Sequence, residues 1–297
     1  MIKVRAVLTS VLYFSDVTLQ CRKNITIPGS ADLPIVLDVF FKENGEPKPV
    51  VIFVHGFKGF KDWGHFNQVA EKFAEEGFVF IKFNFSHNGT TVQDPLNFGD
   101  LEAFGKNNYI IELDDLKLVI DWTLNTAWLR PELDQGRLSL LGHSRGGGIS
   151  IIKAFEDKRV NKLVTWASVS TFVNRNKKKT IETWKRDGVV YAHNARTQQE
   201  MPMYRQFYDI MMANKSRLNL LACARKLKIP FLIVHGTNDE AVPFAEAEAL
   251  HQSAHSSRLF RVENADHTFG VRHPFLSYPL PPRSVEVVDQ TIHFLRS

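Results

Sequence analysis

The sequence predicts an α/β fold built on a mostly parallel, doubly wound sheet of about eight strands. Three observations carry this. Short unbroken apolar runs such as "VVIFVHG" (50–56) and "PFLIVHG" (230–236) end in glycine, the look of strands buried on both faces. Between such runs lie segments with apolar residues at helical spacing. The two kinds of segment alternate through most of the chain, as they do where helices cover both faces of a parallel sheet.

Taken in order, "VTLQCRKNITI" (17–27) and "IVLDVFF" (35–42) read as two strands around the turn "PGSADLP". "FNQVAEKFAEEGF" (66–78) spaces Phe66, Val69, Ala70 and Phe73 along a helix, and Gly77 stops it. "FVFIKFNF" (78–85) is strand, and residues 86–108 read as one long loop. A helix over 109–125 places Ile110, Leu113, Leu116 and Ile120 near one face. Strand "RLSLLG", helix "RGGGISIIKAFE" and strand "KLVTWASV" follow. After the strand at 230–236 come helix 244–254, strand 258–263 and a last helix near 284–296.

The pattern breaks between residues 172 and 228. This stretch holds 13 Lys or Arg against four acids, in a chain of 297 residues with net charge +5. It also holds Trp184, Tyr191, Met201, Met203, Tyr204, Phe207, Tyr208, Met211 and Met212. The expectation is a core of 1–171 plus 229–297 with a helical cap or lid inserted at 172–228. The Met, Tyr and Phe cluster at 201–212 is expected to form the core of that cap, with some members lining a pocket. Its cations, Lys177, Lys178 and Lys179 among them, read first as a solvated face and second as an attraction for acidic substrates.

A hydrophobic content of 44% suits a large core and argues against disorder. A mild basic excess is no sign of a nucleic-acid partner. Cys21 and Cys223 are expected to be unpaired and buried, which fits a reducing, cytoplasmic setting. The N-terminal "MIKVRAVLTSVLYFSD" has two cations before an apolar stretch. Thr9, Ser10 and Ser15 interrupt that stretch and no small-x-small site follows, so it is not read as a signal peptide. No run nears the roughly 18 apolar residues of a membrane span, so no stable membrane insertion is expected. A homodimer is compatible with the sequence.

"LSLLGHSRGGGIS" (138–150) concentrates the chemistry. Gly142-His143-Ser144-Arg145-Gly146 fits G-x-S-x-G, with an apolar strand before it and a helical pattern after it. A strand-to-helix reversal there would hold Ser144 in strained geometry with its hydroxyl outward, and glycines on either side would let neighbouring backbone pass. A serine hydroxyl needs a base, and the base needs an orienting carboxylate. "FLIVHGTNDEAVP" puts Asp239 just past one buried strand, with Glu240 as substitute. "LFRVENADHTF" puts His267 just past the next. Both would then share the sheet edge of Ser144. Asp266 adjoins His267 too closely to reach its far nitrogen, and His273 reads as a surface residue. His143, His55 and His235 read as structural. An oxyanion needs backbone donors: Arg145, after the nucleophile, and Phe57 in "VHGFKGFKDW", with Lys58 one step away.

Together "HGF", "GHSRGG", "HGTNDEAVP" and "ADHTF" resemble the α/β-hydrolase superfamily over roughly residues 35–297. The likeness is to small esterases described as serine-aminopeptidase-like or dienelactone-hydrolase-like, including cinnamoyl (feruloyl) esterases. It implies the α/β-hydrolase fold with Ser144 as nucleophile, His267 as base, Asp239 as orienter and the Phe57 and Arg145 amides as oxyanion hole. It implies a small-molecule ester substrate, and no cofactor or metal. Three features depart from the pattern: "FSHNGTT" where "GHG" is common, Arg145 after the serine, and the cationic insertion. Acyl transfer to another acceptor, peptide or amide cleavage, and non-catalytic ligand binding remain as alternatives. The peptidase reading is weakened because the insertion has no evident acidic cluster to receive an α-amino group.

Overall fold

The computed structural model describes residues 18–297 apart from 174, 176, 177, 277 and 278. The N-terminal stretch read for a signal peptide, Val17 and Lys177 lie outside the described residues. β1 (Leu19–Pro28) and β2 (Pro34–Lys42) form the expected hairpin, and β3 (Lys48–Val54) follows. Then come α1 (Phe66–Glu75), β4 (Val79–Asn84), α2 (Leu101–Lys106), α3 (Tyr109–Asn125), β5 (Leu133–His143), α4 (Arg145–Glu156) and β6 (Val160–Trp166). After the segment that contains α5 (Lys178–Asp187), β7 (Val189–Asn194), β8 (Gln199–Tyr204), α6 (Arg205–Ala213) and α7 (Leu220–Lys226), the chain returns. It ends with β9 (Phe231–Gly236), α8 (Ala245–Ser253), β10 (Ser257–Val262) and α9 (Pro282–Arg296).

Eight strands make one sheet in the order β1-β2-β4-β3-β5-β6-β9-β10. The two pairings of β2 are antiparallel and the other five are parallel. Side chains alternate across each strand, so the core divides in two. On one face Ile52, Ile81, Leu140 and Leu163 meet Leu116 and Ile120 of α3 and Ile149 and Ile152 of α4. On the other, Phe53, Phe80, Leu141 and Val164 meet Phe66 and Phe73 of α1 and Val288 and Ile292 of α9. Both faces are covered, which is why the central strands read as continuous apolar runs rather than alternating ones.

Several expectations change. The 172–228 segment is not all helical: β7 and β8 pair as an antiparallel hairpin. Gly188, at φ 75°, stops α5 and lets the chain turn into a strand, and β-branched Val189 and Val190 favour it. The loop at 86–108 contains α2, started by the Asp100 carboxylate accepting the Ala103 N–H at 2.8 Å. Hairpin and loop are stitched together. Gln199 donates to the Phe98 carbonyl, and Gln206 donates to the carbonyls of Gly105 and Asn107. Cys21 is exposed rather than buried, because it sits on the edge strand; Cys223 is buried, and both are unpaired. Among the described residues, no helix is long and apolar enough to cross a membrane.

The loop after β3 is fixed by buried charge. Asp38 of β2 accepts from Lys61 at 2.9 Å and from Lys82 of β4 at 2.6 Å, and both lysines also bond Asp62. Lys61, Lys82 and Asp38 are essentially inaccessible. Two positive and two negative charges compensate one another, so removing one leaves an uncompensated charge in the interior. Lys82→Met should therefore lower folding stability by about 3–5 kcal/mol, read as a shifted urea midpoint. An unchanged midpoint would mean that the quartet contributes nothing to the fold.

Candidate active site

The β5–α4 junction makes a reversal with no room for larger side chains. Ser144 stands at φ 57°, ψ −121°, outside the ordinary allowed regions for a side-chain-bearing residue. Its amide donates to the Trp166 carbonyl at 2.9 Å, and its own carbonyl accepts the Gly147 amide at 3.0 Å. A Cβ on Gly146 would lie 2.2 Å from the Val54 carbonyl oxygen and 2.4 Å from that of His55. A Cβ on Gly56 would lie 2.9 Å from the Ser144 Cβ. The first turn of α4 thus presses directly on the end of β3, and the carbonyls that Gly146 meets are backbone that cannot swing away.

Asp239 and His267 lie on the loops after β9 and β10, and the structure brings them together. His267 Nδ1 is 2.7 Å from Asp239 Oδ2. The other carboxylate oxygen accepts the Ala241 and Val242 amides at 2.9 and 2.8 Å. Burial alone would raise the Asp239 carboxyl. The hydrogen bonds from His235 and His267, the charge of His267 and the Val242 amide instead hold it well below the usual carboxylate range. Glu240, the alternative, is exposed. Asp266 caps the turn that follows it, accepting from Thr268 and Gly270.

Ser144 and His267 line two clefts that meet at them. One, of about 230 Å³, is walled by Gly56, Phe57, Trp63, His143 and Asn194, with Lys58 and Thr268 at its polar side. The other, of about 400 Å³, is walled by Tyr109, Phe172, Met203 and Phe207, with Arg145 and Arg175. Phe57 borders both. Phe57 and Arg145 both line the larger cleft, and among the described residues neither backbone amide has an acceptor. Met201 and Met211 are buried within the inserted segment, whereas Met203 and Phe207 reach the larger cleft. Met201 packs with Phe60, Phe98 and Phe104, and Met211 joins the core on the α3–α4 face of the sheet.

The Arg145 side chain, ambiguous in the sequence, is held on three sides. It donates to Glu112 at 3.2 Å, and its guanidinium lies 4.1 Å from the Phe57 ring centroid, with Tyr109 and Phe207 beyond. The Glu112 partner was invisible in the sequence, being an acid on a helix 33 residues away. His143 packs as expected: its Nε2 meets the His267 carbonyl at 3.0 Å. Burial, and then the nearby His267, push its ring down to about 3, so it stays neutral. His273 is not a free surface group. It accepts the Gly64 N–H at 2.9 Å and packs against Phe60 and Trp63. His235, read as structural, places its Nε2 3.3 Å from Asp239 Oδ2, a contact the sequence reading did not foresee. The four-residue gap between them was the only available signal.

Comparison with known proteins agrees with this architecture. The structure resembles that of Est1E from Butyrivibrio proteoclasticus, solved with bound ferulic acid, at TM-score 0.70 and 17% identity, covering 92% of this chain and 98% of that one. It resembles an esterase domain of a Rhodothermus marinus protein at TM-score 0.62 and 17% identity, covering 93% and 98%. A third likeness is to a putative dienelactone hydrolase from Klebsiella pneumoniae, at TM-score 0.59 and 17% identity, covering 94% and 99%. No curated protein matched the sequence. These likenesses establish the α/β-hydrolase fold. The BD-FAE family description matches residues 37–254, well over half of the chain, and the chain belongs to that family.

Proposed function

We propose that this protein hydrolyses carboxylic esters of small to medium size through an acyl-enzyme on Ser144. One observation carries the reading: a serine on a strained strand-to-helix reversal shares its clefts with an imidazole already oriented by a buried carboxylate. Membership of the BD-FAE family and the esterase titles among the structural relatives support it. In this reading the Ser144 hydroxyl attacks the ester carbonyl carbon while His267 Nε2 takes its proton. The Phe57 and Arg145 amides receive the oxyanion. The carbon–oxygen bond to the alcohol then breaks, and His267 returns the proton to the departing oxygen. Water, deprotonated by His267, attacks the acyl carbon, and the proton passes back to Ser144 as the acid leaves. Asp239 stays ionised and holds the imidazole with its hydrogen on Nδ1.

The segment 172–228 acts as a cap, supplying Asn194 to one cleft and Met203 and Phe207 to the other. The pairing of Arg145 with Glu112 and of Arg175 with Glu246 favours a structural role for both cations over capture of an acidic substrate. The two unpaired cysteines are in keeping with a cytoplasmic location.

A fluorophosphonate should label the protein on Ser144, located by peptide mass spectrometry; folded protein left unlabelled would end the serine-hydrolase reading. Ser144→Ala should lose roughly 10⁶-fold in turnover of p-nitrophenyl acetate. Asp239→Asn should cost about 10⁴-fold in kcat by leaving His267 in the wrong tautomer, while Glu240→Gln stays near wild type. The reverse ranking would reassign the third member.

A further inference from the structure

The geometry points to His235 as a positioning residue for the ester hydrolysis proposed above: it fixes the Asp239 oxygen that orients His267. It rests on that reading and concerns a group with no part in the chemical steps.

His235 is the next-to-last residue of β9 and is fully buried. Its Nε2 lies 2.8 Å from the Val242 carbonyl oxygen. A carbonyl can only accept, so Nε2 carries the hydrogen. The same nitrogen also stands 3.3 Å from Asp239 Oδ2. Nδ1 is buried and has no partner among the described residues. The ring edge faces Phe244, centroids 5.9 Å apart at 88°. Only one end of this imidazole is engaged, and that end addresses Asp239 and the loop that carries it.

The consequence concerns one oxygen atom. Oδ2 is where His267 Nδ1 docks, at 2.7 Å. Oδ1 is occupied by two amides from the same short loop. With His235 against Oδ2, both carboxylate oxygens are met from outside the His267 contact, which restrains the carboxylate plane. A carboxylate held only through Oδ1 could swing Oδ2 away and let the His267 ring follow. The other titratable groups facing this pair are His267 itself and His143, whose ring centroid lies 4.9 Å from that of His267.

The test compares His235→Leu, which deletes the donor, with His235→Gln, whose amide nitrogen can reach the position of Nε2. For His235→Leu we expect a kcat loss of about tenfold or more with KM little changed, as for a slightly misplaced reacting group. The low-field ¹H NMR resonance of the His267 Nδ1 proton should weaken or vanish. His235→Gln should restore both. If the leucine variant does not fold, His235→Asn takes its place, since that amide is too short to reach Oδ2. Equal kcat and an intact resonance in the donor-less variant would overturn the inference and leave His235 as packing alone. That failure is distinct from failure of the hydrolase reading, in which wild-type protein itself would neither take the fluorophosphonate nor turn over ester. The NMR comparison still decides the role of His235 in that case.

Discussion

The site depends on one close approach, between the first turn of α4 and the end of β3. The Gly146 backbone lies so near the Val54 and His55 carbonyls that a single added carbon has nowhere to go. This contact forces the reversal after β5 and holds Ser144 at positive φ. It also sets the Ser144 amide on the Trp166 carbonyl and aims the α4 N-terminus at the cleft. The local strain is of order 1–3 kcal/mol, and it is offset by two well-packed cores that grip the strands and helix on either side. Strain of this kind persists only where the surroundings over-determine it.

Around that fixed serine the remaining parts arrive on separate loops at one edge of the sheet. This follows from topology: in parallel neighbours β3, β5, β6, β9 and β10 all strand ends of one kind fall on the same side. Each loop then has its own anchor. The loop after β3 rests on the Asp38–Lys61–Lys82–Asp62 quartet, and the loop after β9 closes on Asp239 through its own amides. The loop after β10 is turned by Asp266. Independent anchoring lets the residues meet without any of them being neighbours in the chain.

Much of this was legible because the same physics acts locally. Buried parallel strands need unbroken apolar runs, and "VVIFVHG" and "PFLIVHG" both proved to be central strands. A tight reversal needs glycines, and Gly142 and Gly146 both sit where a Cβ would strike backbone. Asp239 could be placed beside His267 because both follow strands on one edge. What escaped was nonlocal. The Glu112 partner of Arg145 lies on a helix whose register against α4 no single segment encodes. The β7–β8 hairpin lacks the asparagine–glycine type of turn that marks hairpins in sequence, and it pairs only with itself. The contact of His235 with Asp239 depends on how the β9 loop folds back, not on spacing alone.

The hairpin and the loop after β3 are joined at one further point. The Lys58 ammonium, one residue beyond Phe57, donates to the His193 carbonyl at 2.8 Å, and Asn194 follows in the cleft wall. The hairpin cannot lift without breaking this tie or dragging the backbone beside the Phe57 amide. The hairpin that walls the cleft is therefore mechanically tied to the backbone beside the Phe57 amide, so a shift in one is felt by the other.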